Sequence, residues 1–281
     1  MLPGQTIAAS GLLMSAFTEI EEIAGKRIEL LDATDHPNPI YRKVRGQCEN
    51  QGTTLKIWIK PILGYDDQEA VVGHELAHVL QALQGWAQTA SQYNRVGQPI
   101  CPQISDLGSQ INSLVADVSA DSWAAIRGFK IEESLKYDAV PAALAGNLPS
   151  IKRDGREAHR WENLYKSMNT LARTINSYKD CTQRVRLDQE METLRAAVHY
   201  AKLKIRFSKY GLFTEIDALW AKKLPTARNE GLEIAELVER NGYETKEQAN
   251  QAIISIIKYL RITPPLLVVK QPISGEVIWP R

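Results

Sequence analysis

Hydrophobic positions along the chain change period several times, and each change predicts an element. In TTLKIWIK, residues 53–60, Leu55, Ile57 and Ile59 alternate with Lys56, Trp58 and Lys60, the period of a half-buried strand. Pro61 and Gly64 end it. From about Asp66 to Gly85 the period becomes helical: Val72, Leu76, Val79, Leu80 and Leu83 make one apolar stripe, and Asp66, Asp67 and Glu69 suit the positive end of a helix dipole. A loop with Gly97, Pro99 and Pro102 leads to a second strong helix, roughly 105–127, with Gly128 in the stop position. Upstream, the apolar run within MLPGQTIAASGLLMSAFTEIEEIAGKR reads as a first amphipathic helix, RIELLDA (27–33) as a strand broken by DHPNP, and 41–49 as a further strand. Beyond Lys130 the segments 155–180, 186–208, 226–240 and 245–260 have helical patterns, and LLVVK with GEVIW predicts a short hairpin around PISG. The expected fold is α+β. A mostly antiparallel sheet of three to four strands packs against the two strong helices in a domain over 1–150, and a mainly helical region follows over 151–281.

Composition changes little in this picture. A length of 281 residues with 44% hydrophobic and 24% charged side chains describes an ordinary globular chain. The net charge of +1 hides an asymmetry: residues 61–150 carry 4 Lys/Arg against 10 Asp/Glu, and residues 151–225 carry 16 against 9. KLKIRFSKYG, with Lys202, Lys204, Arg206 and Lys209, has the composition of a nucleic-acid or acidic-partner patch, but no helix-turn-helix, zinc-finger or RNA-binding signature accompanies it, and a solvated helix face is the simpler reading. Cys48, Cys101 and Cys181 are odd in number and widely spaced, which argues against a disulfide framework and for a reducing compartment. The N-terminal run has no basic residue ahead of it and soon meets Glu19, Glu21 and Glu22, so it is not read as an export signal. No run of eighteen apolar residues occurs, no membrane span is expected, and the expected location is the cytoplasm.

The chemistry lies in VVGHELAHVLQAL, residues 71–83. His74 and His78 are four apart, so a helix places both imidazoles on one face within reach of one metal ion. Glu75 sits beside them, where a carboxylate can take a proton from water activated by Zn²⁺. A third ligand is not given by this stretch. The metzincin continuation fails, because its glycine and final histidine positions hold Gln81 and Gln84. Cys48 is available for a deformylase-like site, although GQCENQG lacks the glycine-cysteine-leucine-serine context of that class. On the next helix, Asp117 and Asp121 in DVSADSWA are also four apart and share a face. His36, in DHPNP, reads as a turn residue.

With HELAH on one helix and DVSADSWA on the next, the chain resembles the gluzincin metallopeptidases, and among them the ImmA/IrrE-like small enzymes of bacteria and phages. The resemblance covers about residues 53–128. It implies a zincin-like domain, a zinc ion held by His74, His78 and Asp117, a close helix approach at Ala120, and Asp121 as acceptor for a ligand histidine. Aspartate departs from the usual glutamate ligand and is one methylene shorter. In that architecture TTLKIWIK is the edge strand on which an extended peptide pairs. The implied activity is zinc-dependent hydrolysis of a peptide bond in a protein substrate, a regulatory cleavage with Glu75 as general base. An oxyanion donor is sought in the helical half among His199, Tyr200, His159 and Tyr210, with His199 and Tyr200 preferred because both donor types are adjacent on a long helix. The alternative is a non-catalytic regulator that keeps the fold and binds a protein partner; the intact Glu75 favours the enzyme.

Overall fold

The structure, a computed structural model, describes residues 10–39, 41–43, 45–60, 65–91, 102–136, 181–262, 267–272 and 274–279. Helix α1, Gly11–Ala24, starts at Ser10, whose hydroxyl accepts from the Leu13 amide and donates to Glu69. Strands β1 (Arg27–Asp32), β2 (Gly46–Gln51) and β3 (Thr54–Ile59) follow. Next come helix α2 (Tyr65–Leu83), strand β4 (Gln88–Ser91), helix α3 (Pro102–Ile126) and the single turn α4 (Ile131–Ser134). The later described elements are helices α5 (Cys181–Ser208), α6 (Thr214–Lys223), α7 (Pro225–Asn241) and α8 (Lys246–Tyr259), then strands β5 (Leu267–Lys270) and β6 (Val277–Trp279). The expected helix over 155–180, His159 and Cys101 lie outside the described residues. Among the described residues no helix is long and apolar enough to cross a membrane.

The chain separates into two compact units, Met1–Gly85 with Ala116–Pro141, and Trp86–Val115 with Ala142–Arg281. In the first, β3 is the middle strand of the order β1-β3-β2. It pairs parallel with β1, Leu30 opposite Ile57, and antiparallel with β2, Cys48 opposite Ile57. Two expectations are thereby corrected. TTLKIWIK is not an edge strand, and this sheet has one parallel and one antiparallel pairing, so it is not mostly antiparallel. The reason is burial: Leu55, Ile57 and Ile59 are buried, and so is Trp58, leaving the strand covered from both faces. Alternation marked the strand, but it cannot distinguish a centre from an edge. The polar β2, GQCENQ, takes the edge and packs against α2.

Helix α2 buries the stripe read from sequence, with Val72, Leu76, Val79 and Leu80 inside. Gly73 faces Phe129 so closely that a Cβ there would lie 2.6 Å from the ring. The end of α3 is tied to α1 by Arg127, whose guanidinium lies 3.9 Å over the Trp123 ring and pairs with Glu19 at 2.9 Å. On the outer face of the sheet, buried His36 anchors the loop after β1. Its Nδ1 accepts the Asn38 amide at 3.0 Å, so Nε2 carries the proton and donates to Glu49 at 2.9 Å. Trp58 donates to the other Glu49 oxygen at 3.3 Å and its ring meets His36 edge-on.

In the second unit α5 packs along α7. The hairpin β5–β6 forms as the sequence predicts, with β4 added on the other side of β5. The basic residues of α5 meet partners inside this unit: Lys202 donates to Ser113 at 2.9 Å, Lys204 lies 3.5 Å from Glu239, and Arg195 lies 3.6 Å from Asp106.

Candidate metal centre

His74, Glu75 and His78 come from α2, and Asp117 and Asp121 from the end of α3 that belongs to the same unit. His74, His78 and Asp117 each bring one donor atom into a cluster whose members all lie within 4.8 Å of one another. The rings of His74 and His78 stand nearly perpendicular, at 88°, with their Nε2 atoms 3.0 Å apart. Asp117 Oδ1 lies 3.5 Å from His78 Nε2, so the shorter acidic side chain still reaches the imidazoles.

The outer nitrogens decide what those facing atoms carry. His74 Nδ1 lies 2.8 Å from Asp121 Oδ1, an acceptor, so in the neutral ring Nδ1 is the donor and Nε2 is the nitrogen open to a metal. His78 Nδ1 lies 2.9 Å from Gln81 Oε1, and the Gln81 amide is oriented by its own donation to the Ala116 carbonyl at 3.0 Å. That orientation fixes the oxygen toward His78, so the neutral ring of His78 has the same tautomer. In that tautomer two nitrogen lone pairs and a carboxylate oxygen converge, which is the donor set of a divalent transition metal. A tetrahedral zinc with bonds of about 2.1 Å separates its ligands by roughly 3.4 Å. The 3.0 Å and 3.5 Å separations bracket that spacing.

Burial lowers the proton affinity of His78, with the neighbouring His74 adding to the effect, which favours the neutral ring that a metal requires. Burial raises that of Glu75, reinforced by Asp117 and opposed by His78 and by the hydrogen bond from Cys48. The Cys48 thiol is itself pushed up to about 12, by burial first and by the Glu75 charge second. It stays protonated beside Glu75, and it is not among the three converging donors.

The expectation for His199 and Tyr200 meets a different setting. Both belong to the second unit. Tyr200 is fully buried and gives its hydroxyl to Asp217, which also holds Arg228 at 2.6 Å and 2.9 Å. His199 lies against the Trp220 ring, with centroids 6.1 Å apart. Tyr200 thus has its bonding partner and His199 a ring contact within the second unit. Gln81 was missed as a site residue in sequence, although its spacing of three from His78 places it on the same helix face. No family model, no curated protein and no solved structure matches the chain, so the likeness to gluzincins rests on HELAH and DVSADSWA alone.

Proposed function

We propose that this chain is a zinc-dependent endopeptidase of zincin type, with His74, His78 and Asp117 as ligands and Glu75 as general base. The observation that carries the reading is the convergence of two imidazole nitrogens and a carboxylate oxygen beside a half-buried glutamate. Zinc bound by that set supplies a Lewis acid and lowers the pKa of water to near neutrality. Glu75, whose proton affinity burial raises, is suited to take the proton of the attacking water and hand it to the leaving amine. Asp121 and Gln81 hold both histidines in the tautomer that keeps Nε2 bare.

The substrate is an extended segment of a protein. Edge strand β2 runs beside α2, and its outer side offers main-chain groups for strand addition, the role first expected of TTLKIWIK. Main-chain pairing selects unfolded or flexible segments over folded ones. A regulatory cleavage fits that preference, since one accessible segment of a partner is enough.

The test compares wild type with Glu75→Gln, both loaded with zinc, on proteins of the native host. Glutamine keeps the size but cannot accept the proton, so zinc and fold persist while the rate drops about 10²- to 10⁴-fold. A fragment should form only with wild type and vanish with a chelator. A wild type that takes up no zinc, or a Glu75→Gln protein with every biological effect intact, would replace proteolysis by a partner-binding role for the same fold.

A further inference from the structure

Strand β2 approaches α2 more closely than a side chain would permit. A Cβ at Gly46 would lie 2.5 Å from Val71 Cγ1 and 2.9 Å from both Cγ and Oε1 of Glu75. Gly46 and Cys48 are two residues apart and share the sheet face of their partners Ile59 and Ile57. On that face the Glu75 carboxylate lies against β2 at Gly46, which puts the Cys48 thiol two residues along within its reach. The glutamate side chain thus lies across bare backbone at Gly46, with the thiol two residues further along the strand.

We propose that Gly46 and Cys48 are the positioning residues of Glu75, Gly46 by leaving the space its side chain occupies and Cys48 by holding its carboxylate. The inference rests on Glu75 being the general base, and it deepens that reading by naming what aims the base. A free glutamate turns about three side-chain bonds, and a misplacement of about 1 Å in a catalytic group costs up to about 100-fold in rate. Held between a backbone and a thiol, Glu75 keeps one direction along the helix. Burial keeps Cys48 protonated, so it serves as a donor and not as a competing ligand.

A methyl group at position 46 meets two obstacles that yield differently. Val71 is packed in the core, whereas the Glu75 carboxylate is the far end of a flexible chain. Gly46→Ala therefore displaces Glu75 first and releases the thiol.

The S–H stretching band reports this directly, because donation to a carboxylate lowers its frequency. In the 281-residue chain carrying Cys101→Ser and Cys181→Ser, Cys48 is the one remaining thiol. Its band is expected at lower frequency in that background than in Glu75→Ala, with Gly46→Ala moving it to the Glu75→Ala position. If Gly46→Ala does not fold, Gly46→Ala with Val71→Ala removes the core collision and leaves the one with Glu75. On zinc-loaded protein with casein as substrate, Cys48→Ala should lower kcat about 10- to 100-fold at little-changed KM, and Cys48→Ser should restore most of it. A band at one frequency in the background, Glu75→Ala and folded Gly46→Ala proteins overturns the proposal, as does an unchanged kcat in Cys48→Ala. The infrared arm needs no substrate. Wild type that cleaves nothing but shows the shift removes the peptidase reading and leaves Glu75 held as described.

Discussion

Each histidine of the centre has a partner that decides which ring nitrogen is bare, and the two partners differ in kind. Asp121 is charged and accepts from His74; Gln81 is neutral and faces His78 with its oxygen only because the Ala116 carbonyl takes its amide. Asp117→Ala should abolish tight zinc binding, and Asp121→Ala should weaken it about 10- to 100-fold. Competition against a chromophoric chelator measures both, and equal affinity in wild type and Asp117→Ala would assign the third ligand elsewhere. The histidine pair, Glu75 and both aspartates were legible because helical spacing alone puts them on shared faces. Gln81 was not, because a glutamine three residues from a histidine is ordinary on any helix and only the Ala116 carbonyl gives it an orientation. His199 carries the pH prediction. Burial, with Lys202 and Arg206 nearby, holds it down at about 4, against roughly 6.5 in an unfolded chain. Below pH of about 6.5 the unfolded state takes up a proton that the folded state refuses, so stability falls as pH drops from about 6.5 toward 4 and is unaffected above. The slope is at most about 1.4 kcal/mol per pH unit, and partial exposure of the ring makes it smaller. Urea midpoints at a series of pH values should show it, and His199→Leu should flatten it.

Among the elements, α2 and α3 were readable because each carries a long apolar stripe, and β3 because three aliphatic residues alternate. Strands β2 and β4 were harder for the same physical reason reversed: GQCENQ and QTAS have almost no apolar residues, and each becomes a strand only by pairing with an apolar neighbour, β3 or β5. A reading from single segments therefore finds the strand that is buried and misplaces the edge that lines the site. Helix α6 went unread because its ten residues show only Ile216 and Trp220 buried, too few to set a period. The packing of α2 gives an element-scale prediction. Alanine is a better helix former than glycine by about 1 kcal/mol, so Gly73→Ala should stabilise α2 in isolation. In the protein its methyl would meet the Phe129 ring at 2.6 Å, and overpacking of this kind costs about 1–3 kcal/mol. Thermal unfolding should show a net loss, and Phe129→Leu in the same chain should recover part of it. A more stable Gly73→Ala protein would mean that Phe129 gives way freely.

At the scale of the whole molecule, all three candidate ligands, Glu75, Cys48 and Gln81 fall in the unit of Met1–Gly85 and Ala116–Pro141. Zinc that binds only the folded form stabilises it by mass action, about 2.7 kcal/mol at a hundredfold excess over Kd. Hydrogen exchange with and without zinc should show that gain as slower exchange in α2 and in residues 116–126, with α7 and α8 little changed. Protection spread equally over all four would mean that the units open together. Strand β2 belongs to the same unit, and its two faces carry unlike cargo: Gly46 and Cys48 lie toward α2, while Glu49 is held on the other face by His36 and Trp58. A slip of one residue would exchange those sets. Gln47 would then press into space that admits no side chain, and Glu49 would bring a second negative charge to Glu75 while His36 lost its acceptor. Misregistered chains would thus be penalised at both faces at once, so the groups proposed to serve the reaction also proofread the assembly of the sheet beside it.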